Sequence, residues 1–444
     1  MNHALGTNTS EGQAMHDLAT RLFPLNRSLT GPGVRATLAI LQQEMPGLVI
    51  EAIPSGTPCF DWIVPREWHI RSARLTAPGG EVVVDFAHHN LHVVGYSIPV
   101  NTTLDLEALQ PHLHSRPDLP DAIPYITSYY AENWGFCLPH RQRQTLLPGL
   151  YHAFIDSQLE PGCLNYAELV IPGRSTREVL ISTYICHPSM ANNELSGPVV
   201  ATYLAKWVMQ QPRRLTYRFV FIPETIGSLC YLQRHLPHLK NRVVAGFNIT
   251  CVGDEGEFNY LPTRHGQTLS DRVARHVLGQ VAPGYHRKDF RWHRGSDERQ
   301  YNAPGIDLPI ATITRSIFHE YAEYHTSLDD LTLVTQNGLS GSLELYRLFL
   351  TCLEHNGMVQ TMVLGEPQLG RRGLYPNLSR GGKVGEELDM LLNLLAYADG
   401  KTDLLALAEQ IEVPLWSLLP ICDTLIRQGL LALSFPDDDN PATA

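Results

Sequence analysis

The sequence predicts an α/β protein with a three-layer, mostly parallel sheet, a small antiparallel β domain inserted in its first half, and a C-terminal winged-helix domain. Three observations predict this fold. Between residues 151 and 314, apolar runs alternate with helical patterns. Residues 59–136 carry short β-like runs that are split by turns rich in Pro, Gly, His and Asn. The chain then ends on three helical patterns and one short apolar strand.

The central apolar runs predict strands that are buried on both faces, which is typical of a parallel sheet between two helical layers. Two amphipathic helices are predicted near the N-terminus, at residues 15–24 and 33–45, separated by a turn. Strands are predicted at residues 151–155, 164–171, 179–185, 218–222, 243–249 and 308–314. Further helices are predicted at residues 198–209, 227–234, 269–281 and 339–355.

These patterns predict four parts of the chain. Residues 1–58 and 137–364 form the α/β domain, 59–136 the inserted β domain, 365–383 a linker and 384–444 the winged helix. Winged helices usually bind DNA, but residues 384–444 hold eleven acidic and only two basic residues. Such a surface repels phosphates, so packing against the main domain or a partner is favoured over DNA binding.

Composition narrows the class of protein further. The 444 residues are 43% hydrophobic with a formal charge of −11, and no apolar run is long enough to span a membrane. The first 14 residues lack the basic start and apolar segment of a secretion signal. The eight cysteines are scattered, mostly among apolar residues, which predicts reduced core thiols. We expect a cytoplasmic protein that binds neither nucleic acid nor membrane.

The first candidate site residues follow two of the apolar runs. His187 comes directly after the run at 179–185, in a loop that also holds Asn193 and Glu194. Glu224 stands at the tip of the run at 218–222. Side chains at the carboxyl ends of parallel strands meet at one edge of a sheet, where α/β proteins bind ligands. The alternatives are a structural histidine and an acid in the first turn of a helix.

Two later segments add further candidates. Residues 291–301 form a polar stretch next to a Pro-Gly turn, which favours a loop that holds substrate charge over a simply solvated loop. Tyr324 and His325 precede Thr326, which can begin a helix. His325 would then lie beside a strand end, as His187 does.

Together these segments resemble the zinc-dependent aminopeptidase family M28, and most closely its DUF4910 branch with an inserted DUF2172 β domain and a C-terminal winged helix. The resemblance covers nearly the whole chain and implies the zinc exopeptidase-like fold. It is carried by FPLNRSLTG at 23–31, DWIVPREW at 61–68, NLHVVGYS at 90–97, CHPS at 186–189, PETIG at 223–227 and YHTSLD at 324–329.

The resemblance implies a metal site in which His187 matches the first histidine of the family's two-zinc centre and His325 the last. Three anionic positions of that centre are replaced here, by Asn193, Thr225 and Thr250. Two zinc ions need bridging negative charge between them, so the replacements disfavour a two-zinc site.

A single zinc ion remains the expected cofactor. We expect His187, His325 and Glu224 to hold it, helped by Asn193 or Glu194, since two histidines and one glutamate form a known catalytic zinc set.

If Glu224 binds the metal, the general base is expected to be Glu194 or Asp297. Acidic groups at Asp297, Glu298 and Glu323 are candidates for a substrate ammonium. The substrate-binding candidates are Glu298 and, in addition, Arg294, Ser296, Arg299 and Tyr324.

The predicted function is therefore a zinc-dependent aminopeptidase-like hydrolase that cleaves an amide of a small peptide or aminoacylated metabolite. The alternative is a catalytically degenerate protein of the same fold that acts as a binding module or scaffold, which the three missing carboxylates favour. A transcription regulator with a sensor domain is disfavoured by the acidic winged helix. The inserted domain can pair through exposed strand edges, so a homo-oligomer is possible.

Overall fold

The computed structural model describes residues 8–374 and 383–435. The first seven residues, part of the predicted linker (375–382) and the last nine residues of the predicted winged helix (436–444) lie outside the described residues.

An eight-stranded mixed sheet forms the centre of the protein. Its four middle strands are parallel to one another, and antiparallel strands flank them on both sides. The middle strands are seven or five residues long, and all of their residues except Val244 are buried, as the apolar runs predict. In order across the sheet, the strands are Val49–Pro54, Cys163–Ile171, Thr216–Ile222, Glu178–Tyr184, Val243–Ile249, Ile310–Thr314, Asn259–Leu261 and His286–Arg287.

Helices and a second sheet cover the two faces, which confirms the predicted α/β class. The long helices outside the C-terminal domain are Thr9–Leu22, Pro32–Glu44, Ser196–Met209, Ile226–Arg242, Leu269–Val281 and Gln336–His355. Short helical segments lie at Asn90–His92, Leu106–Leu109, Gln110–His112, His140–Gln144, Phe290–His293, Glu298–Tyr301 and Gly370–Arg372. Two large apolar cores result, one on each face of the sheet.

The inserted β domain is an antiparallel sheet of four strands, and it extends beyond its predicted limit of residue 136. Its strands, in order, are Val82–Asp85, Glu67–Thr76, Leu150–Glu160 and Val100–Asp105. We predicted a strand of the main sheet at 151–155, which is wrong, because Leu150–Glu160 pairs on both sides with strands of the insert. Its side chains are alternately buried and more exposed, as in a sheet with one solvent face, whereas the middle strands of the main sheet are buried along almost their whole length.

Two minor strand pairs accompany the insert, Pro58–Cys59 with Trp62–Ile63 and Leu113–His114 with Phe136–Cys137. The insert also shares an apolar core with one face of the main sheet. Trp68 and Ile70 of the insert belong to the same cluster of buried residues as Val220 and Ile222 of the main sheet. The insert is therefore packed onto the α/β domain through a common core.

The C-terminal domain begins earlier than predicted. Strand Met358–Thr361, which we placed in the α/β domain, hydrogen bonds to strands Asp399–Asp403 and Leu431–Ser434. The predicted boundary at residue 364 is therefore wrong, and the domain starts near residue 357. Its helices are Lys383–Tyr397, Leu404–Gln410 and Leu415–Arg427.

The C-terminal helices pack against the α/β domain. Their buried side chains, such as Leu418 and Leu425, belong to the same core as helix Gln336–His355. Arg272 of the main domain also donates two hydrogen bonds to the Asp403 carboxylate, at 2.8 and 3.0 Å. Among the described residues, no single helix is long and apolar enough to cross a membrane.

Two cysteines form a disulfide, which contradicts our expectation that all of them are reduced. Cys59, next to the insert, is bonded to Cys230 in helix Ile226–Arg242. The two residues are 171 positions apart in sequence, so their spacing carried no signal of the pair. The other six cysteines are free thiols, five of them buried.

Acidification is expected to weaken the contact between the two domains through His276. Its Nε2 accepts a hydrogen bond from the backbone N–H of Leu415 at 3.0 Å. Burial, with a smaller contribution from Arg272, lowers the pKa of His276 to about 4, against 6.5 for an ordinary histidine. Between these two values the unfolded chain binds a proton that the folded protein does not, so stability falls as the pH drops through this range. The decrease in the free energy of unfolding attributable to His276 is about 3 kcal/mol over this range.

Urea unfolding at pH 7.5, 6 and 5 measures this effect. His276→Asn keeps a side chain that can accept a hydrogen bond but does not titrate, so its stability should depend less steeply on pH than that of the wild type. Equal pH slopes for the two proteins would contradict the assignment to His276.

Candidate functional site

The middle strands of the sheet place the site at their carboxyl ends. Strand Glu178–Tyr184 ends three residues before His187, and strand Thr216–Ile222 ends two residues before Glu224. These strands are neighbours and run parallel, so both side chains reach the same edge of the sheet. His325 enters from the long connection after strand Ile310–Thr314.

The structure brings the two imidazoles of His187 and His325 together. Their ring centroids are 5.3 Å apart, and the rings are inclined at 40°. His325 has a φ of +55°, a left-handed conformation that is uncommon outside glycine, and its ring stacks on Tyr324 at 3.9 Å. Its Nε2 is buried and has no hydrogen-bond partner among the described residues.

A carboxylate orients the ring of His187. The Oε2 atom of Glu194 lies 2.7 Å from its Nδ1, and both side chains are buried. This contact orients the ring so that Nε2 faces away from Glu194. Nε2 lies 3.8 Å from Oε2 of Glu224. Burial lowers the pKa of His187, but Cys186 and Glu194 raise it more strongly, so it lies well above its ordinary value.

A fully buried arginine supports this pair. Arg27 donates from Nε to the carbonyl of His187 at 2.9 Å and from Nη1 to the carbonyl of Leu22 at 2.6 Å. Its Nε also lies 3.7 Å from Oε1 of Glu194, so the guanidinium offsets the buried negative charge. Burial lowers the pKa of Arg27, and the Glu194 carboxylate opposes that shift.

A π-helical turn, Ala191–Leu195, carries Asn193 and Glu194 into helix Ser196–Met209. The carboxylate of Asp329 accepts the backbone N–H groups of three successive residues of this turn, at 2.6 to 3.1 Å; they are Ala191, Asn192 and Asn193. Tyr321 donates a fourth hydrogen bond to it, at 2.9 Å. Asp329 lies four residues after His325, so one short segment holds both an imidazole and the turn opposite it.

A second carboxyl group lies close to Glu224. Asp297 is buried, and its Oδ1 accepts from the backbone N–H of Thr225 at 2.7 Å and from the Ser228 hydroxyl at 2.8 Å. Its Oδ2 is buried without a hydrogen-bond partner in the part of the chain that the structure describes. Burial and the charge of Glu224 raise the pKa of Asp297 to about 8, so it carries a proton at neutral pH.

Asp297 also holds Thr225 in a strained conformation. Thr225 has φ +64° and ψ −77°, which a β-branched residue rarely adopts. Arg299 donates to the Thr225 hydroxyl at 2.9 Å, so this turn, which aims Glu224 at the imidazoles, is held from two sides.

The three positions where the family pattern has carboxylates are neutral, and two of them share one hydrogen-bond network. Asn193 donates to the Tyr184 hydroxyl at 2.7 Å, which lies 2.5 Å from the hydroxyl of Thr250. Thr250 in turn donates to the carbonyl of Asn193 at 3.0 Å. The Oδ1 atom of Asn193 is left without a partner in the described structure.

The structure places the other predicted substrate residues in three different settings. Tyr324 and Arg299 lie at the site, through the contacts given above. Ser296 and Glu298 are buried within their own loop, where the Glu298 carboxylate accepts the backbone N–H groups of Gly295 and Ser296 at 2.7 and 3.0 Å. Arg294 is exposed and donates to the carbonyls of its own short helix.

Nε2 of His187 and Oε2 of Glu224 lie close enough to share one zinc ion, and the His325 imidazole lies next to that of His187. Zinc–ligand distances are about 2.0–2.2 Å, so atoms 3.8 Å apart, such as Nε2 of His187 and Oε2 of Glu224, can reach the same ion. Two imidazoles bound to one tetrahedral ion have centroids about 5 Å apart. The unpartnered Nε2 of His325 is a free donor in the neutral form that metals require, since burial and His187 lower the pKa of His325 to about 2.

A second group of donors lies on the opposite side of the His187 ring. Atoms of Cys186, His187 and Glu194 lie within 4.8 Å of one another. Here Nδ1 already bonds to Glu194, and burial raises the pKa of the Cys186 thiol to about 11, so it is protonated at neutral pH. The Nε2 side is therefore the better metal site.

Sequence reasoning missed several residues of this site. Arg27 and Asp329 stand inside two of the quoted motifs, which was the one available signal for them. Tyr184 lies in a run that predicts a buried strand, so the sequence indicated a core residue. Tyr125, whose ring contacts both imidazoles, lies in the insert and carried no signal.

Fold and site together define an aminopeptidase-like α/β protein. The model of a family described as "Domain of unknown function (DUF4910)" matches residues 16–356, and a winged helix-turn-helix model matches residues 357–433. The chain belongs to the DUF4910 family. It is 40% identical over 435 residues, 98% of this chain and 99% of the other, to a Clostridium acetobutylicum protein named "Putative polysaccharide biosynthesis protein with aminopeptidase-like domain".

Solved structures agree with this assignment. A "putative peptidase" from Clostridium acetobutylicum superposes with a TM-score of 0.90 at 39% identity, over 96% of this chain and 97% of that one. A zinc aminopeptidase from Bacillus subtilis superposes with a TM-score of 0.56 at 13% identity, over 78% of this chain and 95% of that one. At that identity the likeness extends to the fold alone.

Proposed function

We propose that the protein is a single-zinc hydrolase that cleaves an amide of a small peptide or an aminoacylated metabolite. The observation that carries the proposal is that the His187 imidazole lies close both to the His325 imidazole and to the Glu224 carboxylate. His187, His325 and Glu224 would hold the ion, and Asn193 offers its unpartnered Oδ1 beside them. A zinc ion held there would supply Lewis-acid polarisation of the amide carbonyl.

The surrounding residues have separate proposed roles in orientation, proton transfer and substrate binding. Glu194, which we first considered as a general base, is buried against Nδ1 of His187 and suits orientation of that ring instead. Asp297 holds a proton beside Glu224 at neutral pH and is our candidate for moving a proton to or from the substrate. Arg299 and Tyr324 flank the site and are candidate substrate-binding residues.

Other features of the proposal rest on the sequence and on the relatives. The names of the two Clostridium acetobutylicum proteins favour a peptide-like or saccharide-linked substrate. We also propose a cytoplasmic location, no role in nucleic-acid or membrane binding, and identity of the inserted strands with the DUF2172 domain. Homo-oligomer formation through the insert stays a prediction.

Metal content tests the proposal. The purified wild type is expected to carry about one zinc per chain, and His187→Ala to lose it, because the variant removes one of the proposed metal-binding side chains. His286→Ala is the matched control, since His286 is an exposed surface histidine paired with Glu257. Elemental analysis of the three proteins measures the difference. Unchanged zinc content in His187→Ala would remove His187 from the metal site.

Hydrolysis is tested on the same samples with a panel of aminoacyl 4-nitroanilides. We expect zinc-dependent release of nitroaniline from the wild type and from His286→Ala, and none from His187→Ala.

A non-catalytic scaffold is the second candidate, and the neutral network of Asn193, Tyr184 and Thr250 favours it. This network replaces two of the carboxylates that the family pattern places at the site. A wild type without bound metal, inactive on the panel even after addition of zinc, cobalt or manganese, would decide for the scaffold.

A further inference from the structure

The inserted domain reaches into the candidate site through residues 123–127. The backbone N–H of Tyr125 donates to the carbonyl of His325 at 2.8 Å, and the N–H of Ser327 donates to the carbonyl of Ile123 at 2.9 Å. Pro124 and Thr326 form an antiparallel bridge between these two bonds. The segment that carries His325 is therefore paired directly with the insert.

This pairing places the Tyr125 ring against both imidazoles. Its centroid lies 5.3 Å from that of His187 and 5.2 Å from that of His325, at interplanar angles of 67° and 86°. These are edge-to-face contacts, which aromatic rings favour. Tyr125 therefore forms an aromatic wall against the two imidazoles.

Tyr129 extends the same wall. Its hydroxyl lies 2.9 Å from that of Tyr125, so the two phenols satisfy each other. Its ring packs edge-to-face on Tyr96 at 5.6 Å. Burial raises the pKa of Tyr125 well above its ordinary value and that of Tyr129 to about 12, so both phenols are neutral. The wall thus offers ring surface and no charge.

Charged and polar groups lie at the strand ends on the other side of the imidazoles. Glu224 keeps a fifth of its side chain exposed, and Arg299 bonds to the hydroxyl of the adjacent Thr225. A bound molecule therefore meets charge on the side of the main domain and aromatic rings on the side of the insert. An α-amino acid has the same two-sided character when its side chain is apolar.

We propose that Tyr125, backed by Tyr129, is a selectivity residue supplied by the inserted domain, and that it favours aminoacyl groups with an apolar side chain. The inference rests on the proposed function in one respect, namely that the same site binds an aminoacyl group. It goes beyond that function by naming the side chain and the domain that selects it.

Calorimetric binding of L-phenylalanine and of glycine to the full-length protein tests the inference without any need for turnover. The wild type is expected to bind L-phenylalanine at least about tenfold more tightly than glycine, because only the former has an apolar side chain that can contact the tyrosine rings. Tyr125→Ala should reduce this ratio to near unity, whereas Tyr125→Phe, which keeps the ring, should preserve it. Tyr130→Ala is the matched control, since Tyr130 is exposed and packs on Trp62.

Thermal unfolding shows whether Tyr125→Ala is folded. If it is not, Tyr129→Ala takes its place, with a severalfold loss of the ratio expected. The inference is overturned by a wild type that binds neither amino acid or shows no preference, by a folded Tyr125→Ala or Tyr129→Ala with the wild-type ratio, or by an equal loss in Tyr130→Ala. Selective binding without hydrolysis of the nitroanilide panel would overturn the hydrolase and leave this inference standing.

Discussion

Replacing Arg27 with methionine is expected to destabilise the protein by about 3–5 kcal/mol, because the change leaves Glu194 buried without its cationic partner. Both side chains are fully buried, so water cannot take the place of the guanidinium. The carbonyls of His187 and Leu22 also lose their donor. Urea unfolding of the wild type and of Arg27→Met gives the free-energy difference directly.

Two further variants separate charge from packing. Adding Glu194→Gln to Arg27→Met removes the unpaired charge and should recover about 1 kcal/mol or more of the loss. Arg21→Met is the surface control, since Arg21 forms a half-exposed ion pair with Glu44 and should change stability by less than about 1 kcal/mol. If Arg27→Met is as stable as Arg21→Met, the guanidinium does not support the site in the way described.

Asp329→Asn is expected to have the second large effect, a decrease in the free energy of unfolding of about 3 kcal/mol. The variant replaces one carboxylate oxygen with an N–H₂ group, which cannot accept a hydrogen bond. Either the N–H groups of Ala191 and Asn192, which donate to Oδ1, or that of Asn193, which donates to Oδ2, therefore lose their acceptor. Because this turn carries Asn193 and Glu194, we also expect zinc affinity to fall about 10- to 100-fold, as is typical when a residue that supports a metal ligand is lost.

The matched control for this variant is its neighbour. Asp330 caps a turn by accepting from the backbone N–H and hydroxyl of Thr332, at 2.8 and 2.6 Å, and asparagine can adopt the same turn. Asp330→Asn should therefore stay close to wild-type stability and zinc affinity. Equal losses in the two variants, or none in Asp329→Asn, would show that the π-helical turn does not depend on Asp329.

The main sheet was predictable because its strands are buried on both faces. Runs such as 179–185 and 218–222 are rich in β-branched, aromatic and other apolar residues, and this pattern separates them from the flanking helices. Because parallel strands end at one edge of a sheet, their pattern predicted that His187 and Glu224 lie at the same edge, although the order of the strands across the sheet was not predicted.

The strand at 151–155 was assigned to the wrong sheet, and residues 358–361 to the wrong domain, for a common reason. Both segments are adjacent in sequence to the main domain. Leu150–Glu160 nevertheless pairs with strands of the insert, and Met358–Thr361 pairs with strands of the C-terminal domain. A local pattern defines a strand, whereas its neighbours depend on contacts distant in sequence.

The site shows the same division between local and distant information. The family resemblance pointed to His187, Glu224 and His325, and the structure brings these three together. It did not reveal that Glu194 orients His187, since that role depends on Arg27, 167 positions away from Glu194 in the chain. Nor did it locate Tyr125, because only the folded insert brings that ring to the imidazoles.

The position of a bound zinc ion tests the central claim most directly. Crystals of the wild type grown with zinc, with diffraction data collected on both sides of the zinc absorption edge, should show one anomalous peak. We expect it within about 2.2 Å of Nε2 of both His187 and His325, with Glu224 as a further ligand. A peak on the Nδ1 side, among Cys186 and Glu194, or no peak near either imidazole, would contradict the account.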